Sequence, residues 1–258
     1  MKNRNDTQPF SDFLNLNFDK STIKIEKNMK RILCWIIAGI LALGISSCDL
    51  DEDSYSLTNM WVGFGMLYIN ENGGMGYSIT LDEGSSIIPV TSNIYLGQFE
   101  DSSRVLVNYT ILGDESDSTG NQYLVKINSM RDILLKGILD ITPATEDSIG
   151  NDPIIVQDAW LSGNLLTFEL KYYGGNMVHY INLVKQPGEL SIENQPIELE
   201  LRHNDNNDGG TIPYVAYVSF DLSSLIIAGT DSVDIHVTAT EFNGEIYSEE
   251  GVFQYGDN

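Results

Sequence analysis

The chain has 258 residues, with 14 Lys and Arg against 37 Asp and Glu, for a formal net charge of −23. Phosphate backbones and anionic headgroups repel so acidic a surface, which excludes nucleic acid as a partner. Two cysteines in the whole chain exclude a fold built on disulfides, so the stability must come from apolar cores.

Residues 1–28 are polar, mixed in charge and without useful periodicity. Met29 stands directly before Lys30-Arg31, where a signal peptide would begin, so 1–28 reads as a non-native extension upstream of the true start. Ile32 to Ile45 is an uncharged run of 14 residues. A membrane-spanning helix needs about 20, whereas a run of this length followed by small residues is the secretory pattern. Ile45-Ser46-Ser47-Cys48 then reads as a lipoprotein cleavage site: cutting between Ser47 and Cys48 exposes Cys48 for acylation, palmitate included, and residues 29–47 are the signal. Two or more acyl chains anchor a protein stably without spanning the bilayer. Processing would leave 7 basic and 33 acidic residues, net −26. Cys34 departs with the signal, so the mature body offers no thiol nucleophile and no zinc–thiolate site. Residues 48–57 form an acidic tether whose Asp49, Asp51, Glu52 and Asp53 resemble a signal for display on the outer cell face. The expected location is the outer membrane, on its periplasmic face or at the cell surface.

From 58 onward the pattern is all-β. Trp61 to Ile69 is apolar on both faces and carries Gly63 and Gly65, which suggests a bulge or a tight barrel corner. Tyr77, Ile79 and Leu81 alternate with polar residues. So do Val105, Val107, Tyr109 and Ile111, then Tyr123, Val125 and Ile127. A polar loop, 113–121, separates the last two runs. About five such strands fit a small closed barrel over 58–141. Residues 130–139 read equally as a last strand or a short helix. A Pro- and Gly-containing stretch, 142–153, marks a linker. Over 154–258 the period of two returns at Leu166, Phe168 and Leu170, at Ile197, Leu199 and Leu201, and at Val233, Ile235 and Val237. One apolar and one polar face means sheets with a solvated side. Asn243-Gly244 between two strands predicts a hairpin turn. About seven short strands give an immunoglobulin-like β-sandwich.

Asn108-Tyr109-Thr110, Arg131-Asp132-Ile133-Leu134, Glu146 to Ile154, His179 to Val184, Arg202-His203-Asn204 and Val218 to Leu222 together resemble the NigD-like lipoproteins. The resemblance spans about 55–258. It implies an N-terminal OB-type barrel followed by a C-terminal β-sandwich, and a bacteriocin-associated setting, with no established chemistry.

Candidate sites are few. Asn204-Asp205-Asn206-Asn207-Asp208-Gly209 begins like a calcium loop, making Asp205 and Asp208 weak metal candidates. However, Val215 stands where a bidentate Glu is needed. His179 and His203 fall on apolar faces and would pack with one hydrogen bond each, or bind metal if their strands adjoin. His236 falls on a polar face and reads as solvated. Tyr172 and Tyr173 lie beside Gly174-Gly175 and form the best candidate contact surface, since tyrosine brings area at low entropy cost. No nucleophile elbow, phosphate loop or zinc-protease motif is present, and nothing calls for a cofactor. Glu146-Asp147 and Glu249-Glu250 read as solvated charge. The expected function is a lipid-anchored, non-catalytic binding module for an unknown protein or glycan. A bacteriocin immunity or export accessory is the alternative, and a carboxylate-dependent glycan or peptide hydrolase comes behind both.

Overall fold

The computed structural model describes residues 57–70, 75–114 and 121–255. The extension 1–28, the signal 29–47, the cleavage site at Ser47 and Cys48, and all but the last residue of the tether 48–57 lie outside these residues.

The first five strands are β1 (Trp61–Ile69), β2 (Tyr77–Leu81), β3 (Ser86–Ser92), β4 (Arg104–Asp114) and β5 (Gln122–Asp132). They close into a barrel in the order β1-β2-β3-β5-β4. Every pairing is antiparallel except β3 with β5. The alternation seen in sequence fills the interior: Leu67, Ile79, Ile87, Val105, Val107, Val125 and Ile127 are all buried. Gly65 allows the closure, because a Cβ there would stand 2.6 Å from the Thr80 carbonyl oxygen on β2.

The barrel ends earlier than 141. Ile133 N–H bonds the Arg104 carbonyl, and the chain then leaves the barrel. Residues 134–140 are two short strands, β6 (Leu134–Gly137) and β7 (Leu139–Asp140). β6 pairs parallel to a strand at 218–221 and β7 parallel to one at 184–185, so both belong to the second half. The ambiguity at 130–139 thus resolves as three successive strand segments in three different sheets. The stretch 142–153 is ordered. It carries helix α1 (Glu146–Ile149), and Ile149 packs with Ile141 and Val184 in a small apolar cluster.

The second half adds β8 (Ile155–Ser162), β9 (Leu165–Gly174), β10 (Tyr180–Lys185), β11 (Ile197–Asn204), β12 (Ile212–Asp221), β13 (Ser232–Thr240) and β14 (Ile246–Gln254). Two sheets form, β14-β13-β11-β10-β7 and β6-β12-β9-β8. Nine strands replace the seven expected, since β6 and β7 are recruited from the segment assigned to the barrel. Their apolar faces meet in one core that includes Phe168, Phe220, Leu170, Leu183, Leu199, Ile235 and Phe253. Phe168 and Phe220 meet edge to face at 6.0 Å. The predicted hairpin turn is present between β13 and β14, where Asn243 and Gly244 both take positive φ (66° and 77°), as the turn requires.

Barrel and sandwich share a polar clamp. Arg104 on β4 is fully buried. It grips Asp82 through both terminal nitrogens (2.5 and 2.6 Å) and reaches Ser219 and Thr167 on the sandwich at 3.1 Å each. Trp160 Nε1 donates to the same Asp82 at 3.0 Å. Phe64 packs on Trp160 and Tyr217, at 5.0 Å from each ring.

Candidate functional site

At one end of the sandwich the core-facing positions stop being aliphatic. On β9 the buried series Leu166, Phe168, Leu170 continues into Tyr172, and the matching series on β12 continues into Tyr214, its cross-strand partner. The two rings stack at 5.6 Å with 25° between their planes. On the opposite sheet the series Leu199, Leu201 ends in His203. His179, just before β10, stands beside it. Tyr172 packs on both imidazoles, at 4.7 Å from His179 and 5.6 Å from His203. The result is an aromatic plug whose outer side opens as a pocket of about 230 Å³, lined by Tyr172, Gly174, Gly175, Asn176, Met177, His179 and Tyr214. Met177, Tyr180, Ile212 and Tyr214 are exposed around it.

The polar groups beneath this pocket form one connected set. Pro153 offers His203 Nδ1 a carbonyl at 3.1 Å, so that nitrogen donates. Nε2 of His203 must then accept from His179 Nδ1, 2.9 Å away. Burial holds the His203 imidazole below the usual histidine range, with neighbouring His179 adding to the effect against the Pro153 bond and the carboxylates of Asp152 and Asp205. His179 Nε2 faces Asp208 at 3.4 Å. Asp208 Oδ2 accepts from the backbone N–H groups of Gly175 (2.6 Å) and Met177 (3.1 Å), and Oδ1 accepts from Gly210 (2.9 Å). These donors, Gly175 first, hold its carboxyl down at about 2. Asp208 thus pins the 174–179 turn to the 205–210 loop. Gly210 allows the approach, because a Cβ there would lie 2.0 Å from the Gly174 carbonyl carbon.

Several sequence expectations change here. Tyr172 and Tyr173 do not make one surface. As neighbours on a strand they point to opposite sides, and Tyr173 packs instead on Phe242 and under Lys171. Asp205 and Asp208 do not converge as a calcium loop would require. Asp205 Oδ1 accepts from Asn207 N–H, while Asp208 faces the other way into the 174–179 turn. The strands of His179 and His203 do adjoin, but the two rings bond each other directly and the Asp208 contact is on the far nitrogen of His179, so the three do not surround a common point.

His236 is fully partnered. Nδ1 meets Glu198 Oε2 at 2.6 Å and Nε2 meets Ser248 Oγ at 2.8 Å. Carboxylate, imidazole and hydroxyl stand in the order used for acyl transfer, across three adjacent strands. The setting is an open sheet face, with Glu198 largely exposed. Acyl transfer also needs donors placed for an oxyanion and a walled cleft. Neither His236 nor Ser248 lines the aromatic-end pocket or the groove beside Glu198. We read these contacts as a cross-strand polar bridge. A period-two pattern places His236 and Glu198 on one face, but only the pairing of β11 with β13 brings them into register.

Comparison with known proteins supplies the family. Residues 67–133 match the NigD-like N-terminal OB domain and residues 137–255 the NigD-like C-terminal beta sandwich domain. The chain belongs to the NigD-like family. The second match begins at 137, close to where β6 enters the sandwich. Among solved structures, this NigD-like chain is similar to a protein of unknown function, DUF1344, from Bacteroides vulgatus (TM-score 0.63, 21% identity, covering 78% of this chain and 92% of that one). It is also similar to a candidate toxin-related protein from Parabacteroides distasonis (TM-score 0.61, 27% identity, 75% and 93%), and to a NigD-like immunity protein from Bacteroides caccae (TM-score 0.53, 20% identity, 76% and 93%). No curated protein sequence matches it.

Proposed function

We propose that this NigD-like chain is a non-catalytic binding module, lipid-anchored through Cys48 to the outer membrane, that contacts a protein or glycan with the aromatic end of its sandwich. The observation that carries the reading is the pocket between Tyr172, Tyr214 and the Gly174–Met177 turn. It couples stacked aromatic rings to a turn held rigid from beneath by Asp208. Preorganised aromatic anchors with polar neighbours are what contact surfaces use. The sequence before Cys48 supports the anchor, and the acidity argues for a neutral or cationic ligand.

Two measurements test it. Labelled palmitate should enter the wild-type protein in cells and not Cys48→Ala, with protease shaving of intact cells deciding which membrane face it occupies. Tagged protein should retain a partner from envelope extracts, and Tyr214→Ala should lose it. Equal recovery by wild type and Tyr214→Ala would refute the assignment of the site. A second reading, immunity to a bacteriocin, is favoured by the name given to the Bacteroides caccae protein. Unchanged bacteriocin sensitivity in a deletion strain would remove it.

A further inference from the structure

A second surface lies along the side of the sandwich, away from the aromatic end. β14 and β8 are the terminal strands of their two sheets, and they lie beside each other. The two edges leave a recess between them. A slot of about 110 Å³ opens there, floored by the buried Leu166, Phe168, Ile235 and Val237, with the half-buried Ala159 on one wall and Tyr247, Glu249, Glu250 and Gly251 on its β14 side.

The backbone of β14 is free on this side. Tyr255 N–H bonds the Asp231 carbonyl and Glu241 N–H bonds the Glu245 carbonyl at the two ends of the β13–β14 ladder. In an antiparallel pair, hydrogen-bonded positions alternate. The odd-numbered residues of β14 therefore bond β13, and Ser248, Glu250 and Val252 turn their N–H and C=O groups outward. Among the described residues no strand pairs with them. Three successive free positions beside an apolar slot are a template for an added strand.

Charge selects the occupant. Glu249 and Glu250 flank the slot from opposite faces of β14, Glu249 on the core-facing side and Glu250 on the outer side. Asp158 and Glu241 lie near enough to act on Tyr247, and no Lys or Arg lines the slot. Tyr247 donates its hydroxyl to Glu249, which keeps that carboxylate on the core-facing side of the strand. An inward-facing carboxylate on an edge strand repels a neutral or acidic strand, and pairing β14 with a second copy of itself would set Glu249 and Glu250 against their own kind. A strand bearing lysine or arginine meets the opposite situation. We propose that β14 accepts an extended cationic peptide segment, which adds as a strand through the outward groups of Ser248, Glu250 and Val252 while its apolar side chains enter the slot. This surface is separate from the Tyr172–Tyr214 pocket and does not depend on it.

Gly251 supplies the decisive variant. It faces the slot, and a Cβ there would meet nothing closer than Ile235 Cγ1 at 3.8 Å, so Gly251→Val fills the slot without backbone strain. The full chain is titrated with a decapeptide of alternating lysine and valine, and with its counterpart of alternating glutamate and valine, while amide exchange is followed residue by residue. The lysine peptide should bind saturably and protect the amides of Ser248, Glu250 and Val252. Gly251→Val should abolish binding with its melting curve intact. Glu249→Gln with Glu250→Gln should weaken it at least tenfold, and Tyr214→Ala should leave it unchanged. Absence of binding, equal binding of the glutamate peptide, or undiminished binding to Gly251→Val would overturn the proposal. So would a concentration-dependent dimer protecting the same three amides. None of those results would touch the aromatic-end reading, which Tyr214→Ala tests alone.

Discussion

Arg104, fully buried, and Asp82, half-buried, form a two-pronged ion pair that also fastens the barrel to the sandwich. Both belong to the barrel, yet Arg104 spends its remaining donors on Ser219 and Thr167, and Asp82 accepts from Trp160. Burial raises the Asp82 carboxyl, but the Arg104 and Trp160 bonds outweigh it and leave it below the usual range. Removing Arg104 leaves the half-buried Asp82 charge and the buried Ser219 and Thr167 hydroxyls without their partner. Arg104→Ala should therefore cost about 3–5 kcal/mol, read as a shift in the guanidinium midpoint. The expected signature is a split transition, with barrel and sandwich unfolding apart. A single transition near wild type would show that the clamp does not couple them.

The sandwich core is tested at Phe168, fully buried against Phe220. Phe168→Ala should lose about 3–5 kcal/mol by chemical denaturation, with the slope unchanged.

Gly210 meets the Gly174–Gly175 backbone with no room for a side chain. Gly210→Ala forces the two loops apart, at about 1–3 kcal/mol or more. Hydrogen exchange should report it first at the amides of Gly175 and Met177, the donors to Asp208. The same amides should exchange faster in Asp208→Ala. Unchanged protection in both variants would mean the turn is held by something other than Asp208.

His203 gives a pH dependence with a fixed sign. Its folded form holds the proton less well than a free histidine, because burial disfavours the charge. Below about pH 6.5 the unfolded chain takes up a proton that the folded chain refuses, so stability falls as pH drops through the folded value. It is fully present above that window. Melting temperature should decline on acidification from neutral pH, and His203→Gln should flatten the decline while lowering the neutral-pH value. Asp208, held at about 2, contributes separately, and its share is lost only well below pH 4.

The two β halves were legible because burial on one face of a strand forces a period of two, and that period is visible at Tyr77–Leu81, Leu166–Leu170 and Val233–Val237. The hairpin at Asn243-Gly244 was legible because few residues other than Asn and Gly tolerate positive φ in succession. The place where the barrel gives way to the sandwich was not. Leu134–Gly137 and Leu139–Asp140 are too short to show a period, and their sheets are set by partners roughly 45 to 85 positions away, which no local pattern encodes.

The sequence by itself determined class, charge and core faces, since each is a property of composition or of spacing along the chain. Only the tertiary structure decided which residues meet. It separated Tyr172 from Tyr173, stacked Tyr172 on Tyr214 42 positions away, aimed Asp208 at backbone amides instead of a cation, and left β14 without a neighbour. Those outcomes depend on strand register and sheet order, and register is fixed by the sum of long-range packing.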